Sequence, residues 1–276
     1  HVFTIMKEKK FCGMLGIENV VAVLGDVDNV NKLFEAGVRY IGLTWNKSNK
    51  IGSSARDETE KGTGKGLTEF GKKVVTRMEE LGMLVDVSHS GEKTFWDIME
   101  ISKNPVIASH SNCYLLNPHY RNLKDDQIVA IAKTGGVIMI NFLDDFINEN
   151  GKNNRVANYN ARYKNDIDKL YMENKNDLIA FNVKRYEFMN THPIEGGTSL
   201  DDLIDHIDHI KSLVGVNHIG IGSDFDGGIV APNEIYDATC YPVLTARLWE
   251  RGYKEDEIRK ILGENFLRVL KQVCNK

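Results

Sequence analysis

The segment MLVDVSHSGEKTFWDIMEISKNPVIASHS, residues 83–111, decides the fold class of this 276-residue chain. Both of its ends are apolar until their last residues, as in buried strands, and the stretch TFWDIMEIS between them (94–102) has the apolar spacing of a helix. A strand, a helix and a second strand in this order are typical of parallel strands covered on both faces. The two strands stop at His89 and His110.

The same alternation continues on both sides of this segment. It predicts further strands at 13–19, 39–45, 137–142 and 217–227, and helices at 27–38, 67–82, 125–136, 199–215, 245–252 and 256–273. Residues 143–198 are rich in Asn, Lys, Asp and Tyr and predict a helical excursion. Six strands favour a (β/α)₈ TIM-type barrel lacking its first one or two βα units, as a single domain over 1–276.

Polar residues at the strand ends favour a barrel over an open doubly wound sheet. In a barrel all carboxyl ends of the strands meet at one mouth, whereas in an open sheet ligands gather only where the strand order reverses. A buried charge is costly unless it is paired or bound to a metal, so packing alone does not explain such residues. Five of the six predicted strands end at Glu18, Trp45, His89, His110 and Asp224, and all of these residues except Trp45 are metal-ligand types.

Composition excludes several classes of protein. A net charge of −4 gives no basic surface for nucleic acid, and the chain has no apolar run long enough to cross a membrane. The N-terminal residues have neither the apolar core nor the cleavage site of a signal peptide. We expect a reduced, cytoplasmic setting, because the cysteines form no CxxC pair of a zinc ribbon or thioredoxin-type motif. They are Cys12, Cys113, Cys240 and Cys274.

The chemistry of Glu18, His89 and His110 allows them to share a divalent cation. Zinc prefers imidazole nitrogen and carboxylate oxygen, and it keeps a position open for water in catalytic sites. Water bound to such a cation ionises near neutral pH and becomes a nucleophile. Asp224 would then hold or take the proton.

Each of these residues also has a structural explanation. A strand-end histidine by itself is more often structural than a ligand, and Glu18 could cap the following helix. Asp224 could brace the glycine-rich turn 222–228 through its side chain. Four such residues on one face of a barrel favour a metal site over four independent structural roles.

Six stretches of the chain also carry a resemblance to a known family. They are LGMLVDVSH, NPVIASHSN, HYRNLKDDQI, GGVIMINF, LVGVNHIGIGSDFDG and GENFLRVL. Their order and spacing resemble the membrane (renal) dipeptidase family of zinc metallopeptidases. The similarity spans most of residues 11–270 and is weakest at 143–198.

The resemblance implies a (β/α)₈ barrel and a role for each of five residues. Glu18 would bridge two zinc ions, and His89 and His110 would bind the second of them. Asp224 matches the acid/base carboxylate of the family, and Arg121 in HYRN matches the arginine that binds the terminal carboxylate of the substrate. Considered alone, Arg121 would be an ordinary surface arginine.

Two departures from the family bear on activity. The first strand of the family ends in His-x-Asp, which supplies the remaining ligands of the first zinc, and this sequence begins after the expected place of that strand. It begins instead with a helical face, Val2, Ile5 and Met6. Trp45 stands where the renal-type enzymes carry a histidine that polarises the substrate carbonyl, and an indole cannot accept a proton. We expect Trp45 to wall the pocket and Asn46 or a zinc ion to polarise the carbonyl.

Three other signals have structural explanations. KGTGKG (61–66) lacks the spacing of a phosphate-binding loop, so we interpret it as a mobile loop at the barrel mouth. His206 and His209 are three apart on a helix and could bind a metal, but the neighbouring aspartates favour a solvated polar face. His119, two residues before Arg121, could line the pocket.

The sequence therefore predicts a zinc-dependent dipeptidase that acts on dipeptides and forms a homodimer, with two zinc ions in an intact family site or one in this chain. Tolerance for a D-residue at the C-terminal position of the substrate is implied by the resemblance alone. Two alternatives stay open. One is a catalytically impaired barrel of the same family that binds a ligand or partner, and the other is an amidohydrolase acting on cyclic amides or esters.

Overall fold

A computed structural model of the chain describes residues 12–20, 25–149, 155–192 and 197–274, together with positions 4, 5, 8 and 10. Six parallel strands form one sheet in which the order in space equals the order in the chain. The strands are β1 (Leu15–Glu18), β2 (Val38–Gly42), β3 (Leu84–Asp86), β4 (Ile107–Ala108), β5 (Val137–Ile140) and β6 (Ile219–Ile221).

Helices connect the strands and continue after the last one. In chain order they are α1 (Asn29–Glu35), α2 (Ala55–Lys61), α3 (Glu69–Leu81), α4 (Glu92–Ile101), α5 (Asp125–Lys133), α6 (Asp144–Ile147), α7 (Arg155–Arg162), α8 (Lys164–Asn174), α9 (Leu178–Thr191), α10 (Leu200–Val214), α11 (Tyr241–Glu250), α12 (Glu255–Arg259) and α13 (Asn265–Cys274). Short 3₁₀ turns lie at Val216–His218, Phe225–Gly227 and Ala238–Cys240.

The two faces of the sheet are buried against different parts of the chain. Val85 and Val87 belong to the large apolar core that the connecting helices share. Leu84 directly precedes Val85 and therefore lies on the opposite face of the strand. It belongs to a second core with Leu270 and Val273 of α13. Because side chains alternate along a strand, Asp86 shares the face of Leu84 and lies at its carboxyl end. The face that α13 covers therefore leads to the strand ends where the polar residues lie.

The sequence signals at helix ends are confirmed at α3. The Thr68 side chain accepts a hydrogen bond from the backbone N–H of Gly71, which satisfies a free donor of the first turn. Gly82 ends the helix with a φ of 74°, a left-handed conformation that glycine adopts without a steric penalty. The next strand, β3, begins at Leu84, directly after this turn.

The TIM-like parallel α/β class is confirmed, and every predicted strand overlaps an observed strand that is shorter. Among the described residues no ladder joins β1 to β6, so the sheet is not closed into a ring. The excursion is helical, as expected, at α7 to α9. The N-terminal helical face of Val2, Ile5 and Met6 cannot be compared, because Val2 and Met6 lie outside the described residues.

Two predictions of helices were wrong in detail. The single helix expected at 256–273 is divided by a π-helical turn, Lys260–Glu264, in which Gly263 has non-helical backbone angles. Helix α2 was not predicted, because ARDETEK has no apolar stripe, although Ser54 caps it by accepting from the N–H of Asp57. No helix in the described part of the chain is both long and apolar enough to cross a membrane.

Candidate metal centre

Three side chains from the carboxyl ends of β1, β3 and β4 meet in one cluster. Nε2 of His89 lies 2.8 Å from Oε1 of Glu18, Nε2 of His110 lies 3.2 Å from the same oxygen, and the two Nε2 atoms are 3.0 Å apart. Their ligand atoms all lie within 4.8 Å of one another, which no other group of His, Cys, Asp or Glu achieves among the described residues. The structure thus brings together the acid and the two imidazoles that the sequence singled out.

The register of the sheet explains why these residues meet. Glu18 is the last residue of β1 and pairs with Gly42, which pairs in turn with Asp86 at the end of β3. His89 follows β3 by three residues, and His110 follows β4 by two. Because parallel strands run in the same direction, their carboxyl ends lie at one edge of the sheet.

The backbone of His89 is held in an unfavourable conformation. Its φ of 67° is left-handed, which costs a non-glycine residue about 1–3 kcal/mol unless the surroundings impose it. Here the carbonyl of His89 accepts hydrogen bonds from the Thr44 hydroxyl at 3.1 Å and from the N–H of Ala55 at 2.9 Å. These two bonds fix the backbone from which the imidazole projects.

Burial and hydrogen bonding set the charges of the cluster. Burial raises the pKa of Glu18, but the close contacts of its carboxylate with the imidazoles of His110 and His89 outweigh this effect and hold the pKa well below its usual range. Burial, together with the positive charge of Arg121, lowers the pKa of His89 to about 3. At neutral pH Glu18 is therefore an anion and His89 a neutral imidazole, the states that metal ligands need.

The donor set fits a divalent cation of the zinc type. Two imidazole nitrogens and a carboxylate oxygen are ligands that zinc accepts, and catalytic zinc sites leave a further position open. The side chains of His89 and His110 are 8% and 13% exposed, whereas that of Glu18 is 45% exposed. The cluster is thus closed on its histidine side and accessible to water or a substrate beside Glu18.

Asp224 lies after β6 at the same edge of the sheet. Its Oδ2 accepts a hydrogen bond from Nδ2 of Asn141 at 3.2 Å. Burial raises the pKa of Asp224, and the attraction of His110 opposes this shift only in part. Gly227 leaves room for the other carboxylate oxygen, because a Cβ there would lie 2.1 Å from Oδ1 of Asp224. The carboxylate of Asp224 is therefore bonded to Asn141 through Oδ2, and its Oδ1 lies beside Gly227.

Asn141 is a fully buried residue that the sequence analysis missed. It follows β5, and its backbone N–H and carbonyl pair with the side-chain amide of Asn112 at 2.9 and 3.0 Å. Its Oδ1 accepts from the N–H of Leu143 at 2.6 Å, so its Nδ2 must face Asp224. The available signal was an asparagine within the apolar run VIMINF.

Arg121 is buried, so the interpretation as an ordinary surface arginine was wrong. Its side chain is 4% exposed, and Nη2 donates to the carbonyl of His110 at 3.3 Å. Nε makes no hydrogen bond in the described part of the chain. Burial lowers the pKa of Arg121 to about 10, against the attraction of Glu18 and Asp86. The guanidinium is therefore a charged donor at neutral pH with bonding capacity left for an anion.

A cavity of about 740 Å³ is lined in part by His89 and Arg121. The ring centre of Trp45 lies 6.3 Å from that of His89, and Trp45 is 47% exposed. The 61–66 loop contributes two glycines to the cavity wall, as expected for a loop at the mouth, and its mobility stays a prediction. Other wall residues are Gly62, Gly64, Trp96, Tyr114, Tyr120, Lys93 and Lys124.

The remaining histidines that the sequence raised lie outside this cluster. His206 is fully buried, so the expectation of a solvated face was wrong for it. Its Nδ1 accepts from the N–H of Cys113, and its Nε2 donates to the carbonyl of Ile147. His209 contacts Asp125 at 2.8 Å. His119 stacks against Tyr120 and Phe146 and is not part of the cavity wall.

Asp86 is a second buried residue that the sequence analysis missed. It is 2% exposed, and its Oδ1 accepts from the N–H groups of Ser88 and Ser109 at 3.0 and 2.9 Å. Its Oδ2 accepts from the Ser109 hydroxyl at 2.5 Å, and that hydroxyl lies 2.7 Å from Nδ1 of His110. The signal for it was a carboxylate within the apolar run MLVDV.

Comparison with known proteins places the chain among peptidases. Its sequence matches the membrane dipeptidase family, peptidase family M19, over residues 2–276. A protein of Klebsiella pneumoniae described as uncharacterised, from the region 5′ of pqqA, is 32% identical over 270 residues, which cover 97% of this chain and 84% of that protein. An uncharacterised dipeptidase of Schizosaccharomyces pombe is 31% identical over 259 residues, which cover 94% of this chain and 52% of that protein.

The fold is also similar to that of a solved metallopeptidase. The crystal structure of an enzyme from Rhodobacter sphaeroides, liganded with a phosphinate mimic of the dipeptide L-Ala-D-Ala, superposes with a TM-score of 0.78 at 26% identity. The alignment covers 99% of this chain and 66% of that one. The chain thus spans about half the length of the yeast relative and 66% of the solved enzyme.

Proposed function

This chain belongs to the membrane dipeptidase family, peptidase family M19, and from that premise we propose that it is a zinc-dependent dipeptidase. It would hydrolyse the peptide bond of dipeptides, including those with a D-residue at the C-terminal position. The observation that carries the proposal is the cluster of Glu18, His89 and His110, whose ligand atoms lie within 4.8 Å of one another. A carboxylate and two imidazoles so close together are expected to bind a cation.

A zinc ion would be held by the carboxylate of Glu18 and by the Nε2 atoms of His89 and His110. When bound, zinc acidifies water and polarises the carbonyl of the substrate. Asp224 would take the proton from the attacking water at Oδ1, because Asn141 already occupies Oδ2. The same carboxyl would then pass the proton to the leaving amine. Its raised pKa suits this task, since an acid/base group works best when its pKa is near the working pH.

Arg121 would bind the terminal carboxylate of the dipeptide. Its guanidinium is buried and charged, and its Nε has no partner among the described residues. A carboxylate accepts two parallel hydrogen bonds from such a group, which fixes both the position and the direction of the substrate. Longer peptides would place a peptide group, and no negative charge, against Arg121. This contact would therefore restrict the enzyme to very short substrates.

The proposal for D-residues is supported by a relative. The similar enzyme from Rhodobacter sphaeroides was solved with a mimic of L-Ala-D-Ala, in which the second residue has the D configuration. The ring centre of Trp45 lies 6.3 Å from that of His89, and we propose that this indole forms one wall of the substrate site. We propose that this residue affects how the carbonyl is held and does not prevent hydrolysis.

Hydrolysis by purified protein tests the proposal directly. Release of alanine from L-Ala-D-Ala and L-Ala-L-Ala is measured with zinc, after removal of metal by a chelator, and after zinc is restored. The matching dipeptide amides lack the carboxylate and are expected to react poorly. Hydrolysis that persists without metal, or that does not distinguish the acids from the amides, would contradict the proposal.

A zinc count separates the proposal from its alternatives. Two zinc ions per chain support an intact dipeptidase centre, one indicates an impaired centre, and none supports the ligand-binding alternative. An amidohydrolase would instead open cyclic amides or esters and ignore dipeptides. The cytoplasmic location, the homodimer and the single domain over 1–276 stay predictions. Fractionation of cells, sedimentation and limited proteolysis would test them in turn.

A further inference from the structure

Asp86, Ser109 and His110 form a chain of hydrogen bonds that ends at the candidate metal centre. The Ser109 hydroxyl lies 2.5 Å from Oδ2 of Asp86 and 2.7 Å from Nδ1 of His110. The other imidazole nitrogen, Nε2, faces Glu18 and His89 at 3.2 and 3.0 Å. Only one nitrogen of His110 therefore faces the ligand cluster, and the other faces the serine.

The hydroxyl has one proton, and the geometry decides where it points. A carboxylate oxygen can only accept, so Ser109 must donate its proton to Asp86. The hydroxyl oxygen is then left as an acceptor towards His110, and Nδ1 must donate. A neutral imidazole with its proton on Nδ1 has its lone pair on Nε2, the atom that faces Glu18.

We propose that Asp86 and Ser109 are positioning residues that fix the tautomer of His110, so that Nε2 is always available as a metal ligand. The inference rests on the proposed metal centre and adds to it a cause for the affinity of that centre. Ligand histidines are commonly oriented by a hydrogen bond from their other nitrogen, and removing that bond lowers metal affinity by about 10- to 100-fold. Here the orienting group is a serine that a buried carboxylate polarises.

A purely structural role for Asp86 is the competing explanation. Its Oδ1 accepts from the backbone N–H groups of Ser88 and Ser109, and the bond from Ser109 ties the end of β3 to the end of β4. The two strands share only one register pair, Asp86 with Ile107, so this connection matters for the fold. Its negative charge could also favour a cation directly, without any effect on the tautomer. The test must separate these three roles.

Replacement of Asp86 by asparagine reverses the hydrogen-bond chain. The amide oxygen must stay at the position of Oδ1, because two backbone N–H groups need an acceptor there, so the amide NH₂ takes the position of Oδ2. It would donate to Ser109, whose hydroxyl would then donate to Nδ1 of His110. The imidazole proton would be driven to Nε2, where it blocks metal binding.

The zinc affinity of the wild type and of four variants, measured by competition with a chelator, tests this prediction. Ser109→Ala removes the serine and is expected to bind about 10-fold more weakly, and Asp86→Asn about 100-fold more weakly. The double variant is expected to recover to the level of Ser109→Ala, because the reversed chain is broken. Ser111→Ala is the matched control. It removes a buried hydroxyl from the same loop. That hydroxyl bonds to the hydroxyl of Ser88 and not to the imidazole.

The double variant decides among the roles. If charge or fold alone mattered, it would bind no better than Asp86→Asn, and this result would overturn the inference. Proton NMR of the zinc-bound, ¹⁵N-histidine protein gives a second measure, since the Nδ1 proton of His110 should be protected in the wild type and exchange faster in Ser109→Ala. Wild-type protein that binds no zinc would defeat the proposed function itself. Wild-type binding with unchanged variants would defeat only the positioning role.

Discussion

The parallel sheet and the helical excursion α7 to α9 bury their apolar side chains to very different degrees. Ile41 and Leu84 in the sheet are completely buried. In the excursion, α8 has no buried residue, and Leu178 and Ile179 of α9 are 61% and 78% exposed. The sheet is thus a packed scaffold, whereas the excursion contributes little to the apolar core.

This difference separates the parts of the chain that hold the site from the parts that surround it. Glu18 is the last residue of its strand, and His89, His110 and Asp224 follow theirs within three residues. A packed core resists small displacements, and metal ligands must be held within a few tenths of an ångström. None of the site residues named above lies in α7 to α9. Substitutions at the strand ends should therefore change turnover and zinc content, and substitutions in the excursion should leave both nearly unaffected.

The largest expected effect is the loss of a ligand. Glu18→Gln and His110→Ala should reduce dipeptide hydrolysis by about 1,000-fold or more, which corresponds to about 4 kcal/mol, and should lower zinc content as well. Glu173→Gln makes the same chemical change on the exposed surface of α8 and should leave both unchanged. Turnover and zinc content of the three purified variants are the measurements. Similar losses of turnover and zinc content in Glu173→Gln and Glu18→Gln would contradict the difference between the strand ends and the excursion.

Asp224→Asn should separate metal binding from proton transfer. The amide keeps the shape of the carboxyl group but can neither take nor deliver a proton, so turnover should fall by about 100- to 10,000-fold. Zinc content should stay at the wild-type level, because the cluster of Glu18, His89 and His110 is intact. The two quantities are measured on the same preparation. A wild-type rate in Asp224→Asn would exclude its role in proton transfer.

Two leucines give a direct test of the difference in packing. Leu84→Ala removes a fully buried side chain from β3 and should lower the free energy of unfolding by about 2–5 kcal/mol. Leu178→Ala makes the same change at an exposed position of α9 and should shift it by no more than about 0.5 kcal/mol. Urea unfolding of the two variants provides the values. Equal losses would show that the excursion is packed in solution.

The fold and the meeting of the acid with the two imidazoles could be predicted because their signals are local. Apolar runs of strand length that end in polar residues mark both a buried strand and the edge where it stops. Glu18, His89 and His110 stand at such ends. The parallel order of the strands then places all three at one edge, so local pattern and topology together were sufficient.

Asp86, Asn141 and Arg121 could not be assigned from the sequence in the same way. The partner of Asp86 depends on the register between β3 and β4, and the orientation of Asn141 depends on a loop at Asn112. Burial of Arg121 depends on how the segment after β4 folds back over His110. These are contacts between segments distant in the chain, and a single sequence has no pattern that fixes them.

His206 of α10 joins the loop after β4 to the end of α6, and it should make the stability of that junction depend on pH. Burial lowers its pKa to about 4, while it accepts from Cys113 and donates to Ile147 as a neutral imidazole. Since the unfolded chain takes up this proton near pH 6.5, the contribution is complete above that pH and is lost as the pH falls to about 4, by up to roughly 3 kcal/mol. His206→Gln can keep both hydrogen bonds without a titrating group. The difference in unfolding free energy between the two chelator-treated proteins should therefore change between pH 6.5 and 4, and a constant difference would show that the pKa of His206 is not lowered in the folded state.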